Sequence, residues 1–272
     1  MEMGELKGKV AIITGAGRLR SIGFETAMAL ARLGADIAVT GTGRDPETFP
    51  ADERKLGWRD VESTAERVRG LGRKALPLVA DVTRVADVDR MVARTLEEFG
   101  RVDILINNAA MPIGRDRVPT GELDPDVFQR VLDVKVRGTY LCARAVIPSL
   151  IRQGDGGKIV NVASSAGKRG AAEALAYCAA NFAQVGMTQS LAQELGPHRV
   201  NVNCICPAAV DTSRMDRFGR GEEWQKMGES HPIGRTGTRE EVGAFIAYLC
   251  TGAASWIHGQ SINIDGGMVM EH

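Results

Sequence analysis

Val10-Ala11-Ile12-Ile13-Thr14-Gly15-Ala16-Gly17-Arg18-Leu19-Arg20-Ser21-Ile22-Gly23 decides how the rest of the chain is read. Its first five residues are a short, β-branched, apolar run without alternation, as expected of a strand buried on both faces. A glycine-rich turn follows, then an apolar-periodic helix over 24–33. Strand, turn and helix in that order make a phosphate-binding unit, because small residues let the backbone approach and the helix N–H groups face the anion. Gly15, Gly17, Ser21, Ile22 and Gly23 are the candidate contacts. Arg18 and Arg20 share the loop, and each either reaches the phosphates or is solvated.

Outward from this unit, apolar runs and helical periods alternate to the end of the chain. A second strand over 36–40 ends where a dinucleotide site chooses its cofactor, since an acid there bonds the ribose 2′-OH. This chain runs instead into Gly41-Thr42-Gly43-Arg44, with no carboxylate before Asp45. Arg44 and the missing acid favour a 2′-phosphate, hence NADP(H) over NAD(H), which stays possible. Residues 46–58 form a long polar connection, either a cover for the adenosine end of a cofactor or a surface insertion. A third strand over 75–80 is followed by Asp81-Val82, and a fourth over 104–106 by Asn107-Asn108-Ala109; open α/β sheets bind ligands at such carboxyl ends. Helices are predicted over 60–71, 85–99, 126–151, 174–195 and 239–250, the last with Thr238 as N-cap and Glu241 completing a capping box. Strands are predicted over 158–162, 200–206 (broken by Pro207) and 261–264. Continuous alternation predicts an α/β fold, one domain over 1–272 with a doubly wound parallel sheet. Only 210–237 lapses from the pattern, placing Met215, Phe218, Trp224 and Met227 among charges beyond a strand end, which suits a mobile lid over a substrate pocket.

Lys and Arg total 34, as do Asp and Glu, so the formal net charge is zero. That argues against nucleic-acid or anionic-membrane partners, which require a basic surface. No apolar run reaches the ~18 residues of a membrane span, and the opening residues lack an apolar signal core, so a cytoplasmic location is expected. Cys142, Cys178, Cys204, Cys206 and Cys250 lie in apolar stretches without zinc-ligand spacing and read as buried free thiols.

Chemistry centres on Tyr177 and Asn181, one helical turn apart on the same face. A phenol works as an acid or base near neutrality only if its pKa of about 10 is lowered. The residue one turn after Tyr177 is an amide, which supplies no charge.

Here the chain resembles the short-chain dehydrogenase/reductase family. Thr14-Gly15 with Ile22-Gly23, Asp81-Val82, Asn107-Asn108-Ala109, Ser164 thirteen residues before Tyr177, Pro207 with Thr212, and Asp265-Gly266-Gly267 carry the match in the family's order. The resemblance implies a single-domain, seven-stranded Rossmann sheet, a nicotinamide cofactor along its carboxyl edge, a small carbonyl or alcohol substrate, and a homotetramer. It implies that Tyr177 moves the hydroxyl proton, Ser164 holds the substrate oxygen and Thr212 meets the nicotinamide carboxamide. Two positions depart from the pattern. Asn181 stands where the family has a lysine that binds ribose and lowers the tyrosine's pKa, and Lys135 stands where it has an asparagine. Amide and ammonium have exchanged places on this reading; the alternative points Lys135 to solvent and leaves a dead site. At about 4 Å and an effective dielectric near 20, an ammonium and a phenolate attract by roughly 4 kcal/mol, around three pKa units. The expected function is hydride transfer between NADP(H) or NAD(H) and a ketone/secondary alcohol pair. The rivals are a dehydratase, isomerase or lyase on the same scaffold, and a catalytically silent cofactor-binding protein.

Overall fold

In the computed structural model, which describes residues 4–270, the opening strand lies inside a parallel sheet. The strands are β1 (Val10–Ile13), β2 (Asp36–Gly41), β3 (Ala75–Val79), β4 (Ile104–Asn107), β5 (Gly157–Val162), β6 (Val200–Pro207), the short pair β7 (Val210–Asp211) and β8 (Gly237–Thr238), and β9 (Ser261–Ile264). Seven of them form the central sheet in the order β3-β2-β1-β4-β5-β6-β9. The chain winds outward from β1 to β3 and returns at β4 beside β1, pairing Ile12 with Leu105. This reversal opens the crevice in which doubly wound sheets bind ligands.

The helices are α1 (Ile22–Arg32), α2 (Ala51–Lys55), α3 (Val61–Arg69), α4 (Val85–Phe99), α5 (Pro125–Leu132), α6 (Gly138–Gln153), α7 (Leu175–Leu195), α8 (Glu222–Glu229) and α9 (Arg239–Leu249). Successive β1 residues point to opposite faces. Ala11 and Ile13 pack with Ala27 and Leu30 of α1 and Ile246 of α9 on one side. Ile12 packs with Met91 of α4 and Leu141 and Val146 of α6 on the other. Covering both faces explains why the strands read as continuous apolar runs. Thr238 and Glu241 form the expected capping box on α9.

Three stretches differ from the sequence reading. The helix predicted over 126–151 is α5 and α6 joined through a π-helical turn, Asp133–Arg137, in which the N–H of Gly138 bonds the carbonyl of Asp133. Simple apolar periodicity does not register the one extra residue of such a turn. The connection 46–58 is built, with a 3-10 turn (Pro46–Thr48), α2, and buried Phe49, Glu53 and Trp58. Residues 210–237 hold the β7–β8 pair, a 3-10 turn (Ser213–Phe218) and α8. Two-residue strands are too short to leave a sequence pattern. Among the described residues no helix is long and apolar enough to cross a membrane, and no cluster of metal-ligating side chains occurs. All five cysteines are buried, and none forms a disulfide among the described residues.

Candidate active site

The glycine turn is locked to the end of β4. Asn108 Nδ2 donates to the carbonyls of Thr14 and Gly15, both at 2.9 Å, and Thr14 Oγ1 accepts from the N–H groups of Asn108 and Ala109, both at 3.1 Å. Gly15 has φ +67, and a Cβ there would lie 2.8 Å from Ala109 Cα, so the residue must be glycine. Ser21 caps α1, accepting from Phe24 N and donating to the Arg18 carbonyl, just before Ile22 and Gly23 begin the helix. At the end of β3, Asp81 holds Thr83 through its carboxylate and Val82 is buried against Gly138.

The connection 46–58 folds onto this turn. Trp58 Nε1 donates to the Gly17 carbonyl at 2.7 Å and meets Phe24 edge-on. Glu53 is buried, accepts from Leu19 N and pairs with Arg18 at 2.9 Å. Burial pulls the Arg18 pKa below its ordinary value, with Glu53 opposing, and burial pushes the Glu53 carboxyl up. The Arg18 guanidinium also lies over the Phe49 ring, 4.2 Å from its centroid. Arg20 turns away from the turn, pairing with Asp52 at 2.6 Å and Asp216 at 2.5 Å. Arg44 is exposed beyond β2.

Asp60 was missed by sequence reasoning, which assigned it to a helix start. It precedes α3 with φ 50, caps nothing, and is only 6% exposed. Neither carboxylate oxygen has a hydrogen-bond partner among the described residues. The carboxylate faces Gly17, where a Cβ would lie 1.4 Å from Oδ1, and Gly41 at the end of β2. A left-handed non-glycine backbone holding an unpaired buried charge is strain of the kind found at binding sites. An aspartate ahead of a helix normally signals an N-cap, and that ordinary signal masked this one.

In the catalytic half, α7 carries Tyr177 and Asn181, β5 leads into Ser164, and the π-helical turn carries Lys135. The Lys135 carbonyl accepts from Thr139 Oγ1 at 2.7 Å and from Gln184 Nε2 at 3.3 Å, which ties the turn to α7. The Lys135 side chain is buried and donates through Nζ to the carbonyl of Val162, two residues before Ser164. Burial lowers its pKa to about 8 against the pull of Tyr177. Burial would raise the Tyr177 pKa, but Arg214, Lys135, hydrogen bonding from Ser164, and Arg117 together bring it down to about 8. Ser164 is buried, donates to the Pro207 carbonyl at 3.3 Å and accepts from Ala166 N. Asn181 is fully buried; Nδ2 bonds the Tyr177 carbonyl at 2.7 Å, and Oδ1 is an acceptor without a donor. Thr212 is buried just beyond β7.

Two arginines absent from the sequence reading complete the site. Arg117 lies over the Tyr177 ring with Cζ 4.0 Å from its centroid, and Arg214 sits 5.0 Å away with Nη1 3.4 Å from the phenol oxygen. Both come from loop or lid segments, where spacing carries no information about a distant partner.

The enoyl-(acyl carrier protein) reductase family model matches residues 15–269. Sorbitol dehydrogenase of Cereibacter sphaeroides is 35% identical over 96% of this chain and 98% of its own. A short-chain type dehydrogenase/reductase from Mycobacterium marinum superposes with a TM-score of 0.84 at 30% identity, covering 99% of this chain and 98% of that one. A blue fluorescent protein from a metagenomic library, solved in complex with NADPH, superposes with a TM-score of 0.83 at 29% identity, covering 98% and 100%.

Proposed function

The chain belongs to the short-chain dehydrogenase/reductase family, and from that premise we propose that it oxidises a secondary alcohol, or reduces the ketone, with Lys135 doing the electrostatic work of the lysine missing at 181. A nicotinamide cofactor, when bound, gives or takes the hydride. The residues fit such a group: the glycine turn admits no Cβ at Gly15, and Asp60 and Asn181 present buried acceptors that lack donors and match ribose hydroxyls. Gly15, Gly17, Ser21, Ile22, Gly23, Asn108 and Ala109 would hold its phosphate and adenosine side, and Asn181, Pro207 and Thr212 its nicotinamide side. Ser164 orients the substrate oxygen. Tyr177 passes a proton to that oxygen in reduction and removes it in oxidation, which requires a phenol that ionises near neutrality. Residues 210–237 cover the substrate.

The observation carrying this reading is the convergence of positive charge on Tyr177: Arg214 Nη1 lies 3.4 Å from its phenol oxygen, Arg117 lies over its ring, and buried Lys135 on the preceding helix adds to a field that lowers the phenol's pKa to about 8. Tyr177→Phe should abolish absorbance change at the reduced-nicotinamide band while leaving cofactor binding intact. Unchanged turnover in that variant would refute the reading.

Cofactor choice rests, in our reading, with Asp60 rather than Arg44. The expectation of NADP(H) relied on the lack of an acid near the end of β2 in sequence, yet α3 brings a buried carboxylate to Gly41 from elsewhere in the chain. A 2′-phosphate there would face a carboxylate, whereas ribose hydroxyls would supply the donors that the orphan oxygens lack. We therefore infer NAD(H) over NADP(H). Asp60→Ser should weaken NADH binding about tenfold and strengthen NADPH binding, both read by fluorescence titration; an unchanged ratio sinks the assignment. The same reading includes a homotetramer, supported by exposed Tyr140 on α6 and Phe182 on α7, and light scattering decides it.

A further inference from the structure

Tyr177 stands among more positive charge than a neutral ketone and its alcohol need. Lys135, Arg117 and Arg214 all act on the phenol. One carboxylate is placed to answer them: Asp116, 4% exposed, whose Oδ2 lies 2.9 Å from Arg117 Nη1 and whose Oδ1 accepts from Gly114 N. The two lid aspartates on its segment are committed elsewhere, Asp211 to Arg220 and Asp216 to both Arg220 and Arg20. Arg214 therefore pairs with no carboxylate among the described residues, and its Nε is buried without a hydrogen-bond partner. Desolvation lowers the Arg117 pKa, and Arg214 lowers it further, so the two guanidiniums repel.

Arg214 is half-buried with its Nε fully shielded, and desolvating a cation that far without a counter-charge is unfavourable unless an anion arrives to meet it. The cofactor does not bring one to this place. Its phosphates belong at the glycine turn, and an oxidised nicotinamide ring is itself positive. The counter-charge has to come with the substrate. With Arg117 balanced by Asp116, and the Tyr177 phenol shared between Arg214 and Lys135, Arg214 keeps a guanidinium edge that no carboxylate answers. That matches a monoanion, and a guanidinium fork with a free Nε–H suits a carboxylate held in two hydrogen bonds.

We propose that the substrate is a hydroxy acid, oxidised to the corresponding oxo acid, whose carboxylate is bound by Arg214 with Arg117 beside it while its carbinol oxygen lies between Ser164 and Tyr177. This inference rests on the proposed proton-carrier role of Tyr177. The reaction stays balanced as ordinary alcohol oxidation: the carbinol hydride goes to the nicotinamide, the hydroxyl proton goes to Tyr177, and the carboxylate is unchanged.

The test uses a panel of four- to six-carbon oxo acids, each beside its primary amide, and one phosphate monoester of matched length. Binding is measured by calorimetry on the enzyme loaded with oxidised cofactor, where an oxo compound has no hydride to accept. Turnover is measured separately with reduced cofactor. At least one oxo acid should bind ten times or more tighter than its amide. Arg214→Met should bring that ratio close to one, and Arg214→Lys should restore part of it. Arg117→Met combined with Asp116→Asn, which leaves no unpaired buried charge, should reduce it as well. Equal binding of acids and amides overturns the proposal, and so does tighter binding of the phosphate ester. If an oxo acid binds selectively but is never reduced, the anion site stands and the oxidoreductase reading falls. If neutral ketones are reduced as well as acids, the reverse holds.

Discussion

Replacing Lys135 with methionine removes one cation from beside Tyr177 and leaves a side chain of similar length in a buried position. Tyr177 ionises at about 8, against 10.0 for an unperturbed phenol, with burial working in the opposite direction. Two units correspond to roughly 3 kcal/mol of net preference for the phenolate. Lys135 ranks behind Arg214 among the cations responsible, so its loss should raise the phenol's pKa by on the order of one unit. In the pH profile of alcohol oxidation, the limb that rises near pH 8 should move to about pH 9. At pH 7 the oxidation rate should drop about tenfold, while ketone reduction, which needs the protonated phenol, changes less. The variant should fold, because taking an ammonium out of a buried site removes a desolvation penalty. Thermal unfolding and cofactor titration check this independently. A limb that stays at its wild-type pH would show that the arginines tune Tyr177 alone, and the exchange of Lys135 and Asn181 would then have no catalytic meaning.

The reciprocal change, Asn181→Lys, puts a second ammonium into a fully buried position and should cost about 3–5 kcal/mol of stability, seen as a lowered urea midpoint; adding Lys135→Asn should recover part of both stability and turnover, and strictly additive losses would refute the coupling. Gly17→Ala drives a methyl into the Asp60 carboxylate, so NADH affinity should fall at least tenfold by fluorescence titration; unaltered affinity would place the adenosine ribose elsewhere. Lys135 shifts from 10.5 and Tyr177 from 10.0, both to about 8, on folding. Between about pH 8 and 10 the unfolded chain then holds more protons at both groups, so their contribution to stability rises with pH there and is absent below it. The wild-type urea midpoint should accordingly gain on that of a Lys135→Met/Tyr177→Phe double variant from pH 8 to pH 10, and a constant difference would count against the shifted values.

The sheet was legible because its strands are buried on both faces, a condition that leaves unbroken apolar runs such as Val10–Ile13 and Ile104-Leu105-Ile106. Ser164, Tyr177, Asn181 and Lys135 were legible as residue types at motif spacing, and the structure brings all four to one end of the sheet. What escaped was long-range. Asp60, Arg117 and Arg214 meet their neighbours across tens of residues, from a helix start, a loop and a lid. The π-helical turn was also invisible, although it presents Lys135, because its apolar spacing passes for an ordinary helix. The connection 46–58 was left open between cover and insertion; Trp58 and Glu53 bind it to the glycine turn.

Arg20 carries a consequence of another kind. One guanidinium spans Asp52, in the segment over the adenosine side, and Asp216, in the segment over the substrate side, while the Arg20 carbonyl accepts from Ser213 N. Asp52 and Asp216 are each well exposed, at 45% and 37%, so each ion pair is worth at most about 1 kcal/mol in salt. That is strong enough to bias the two covers toward closing together and weak enough to release in thermal motion. If both segments cover ligands as proposed, occupancy of one half of the crevice would change the affinity of the other, and by reciprocity the effect would be the same size in both directions. The order in which two ligands enter and leave would thus be written into a single side chain that touches neither.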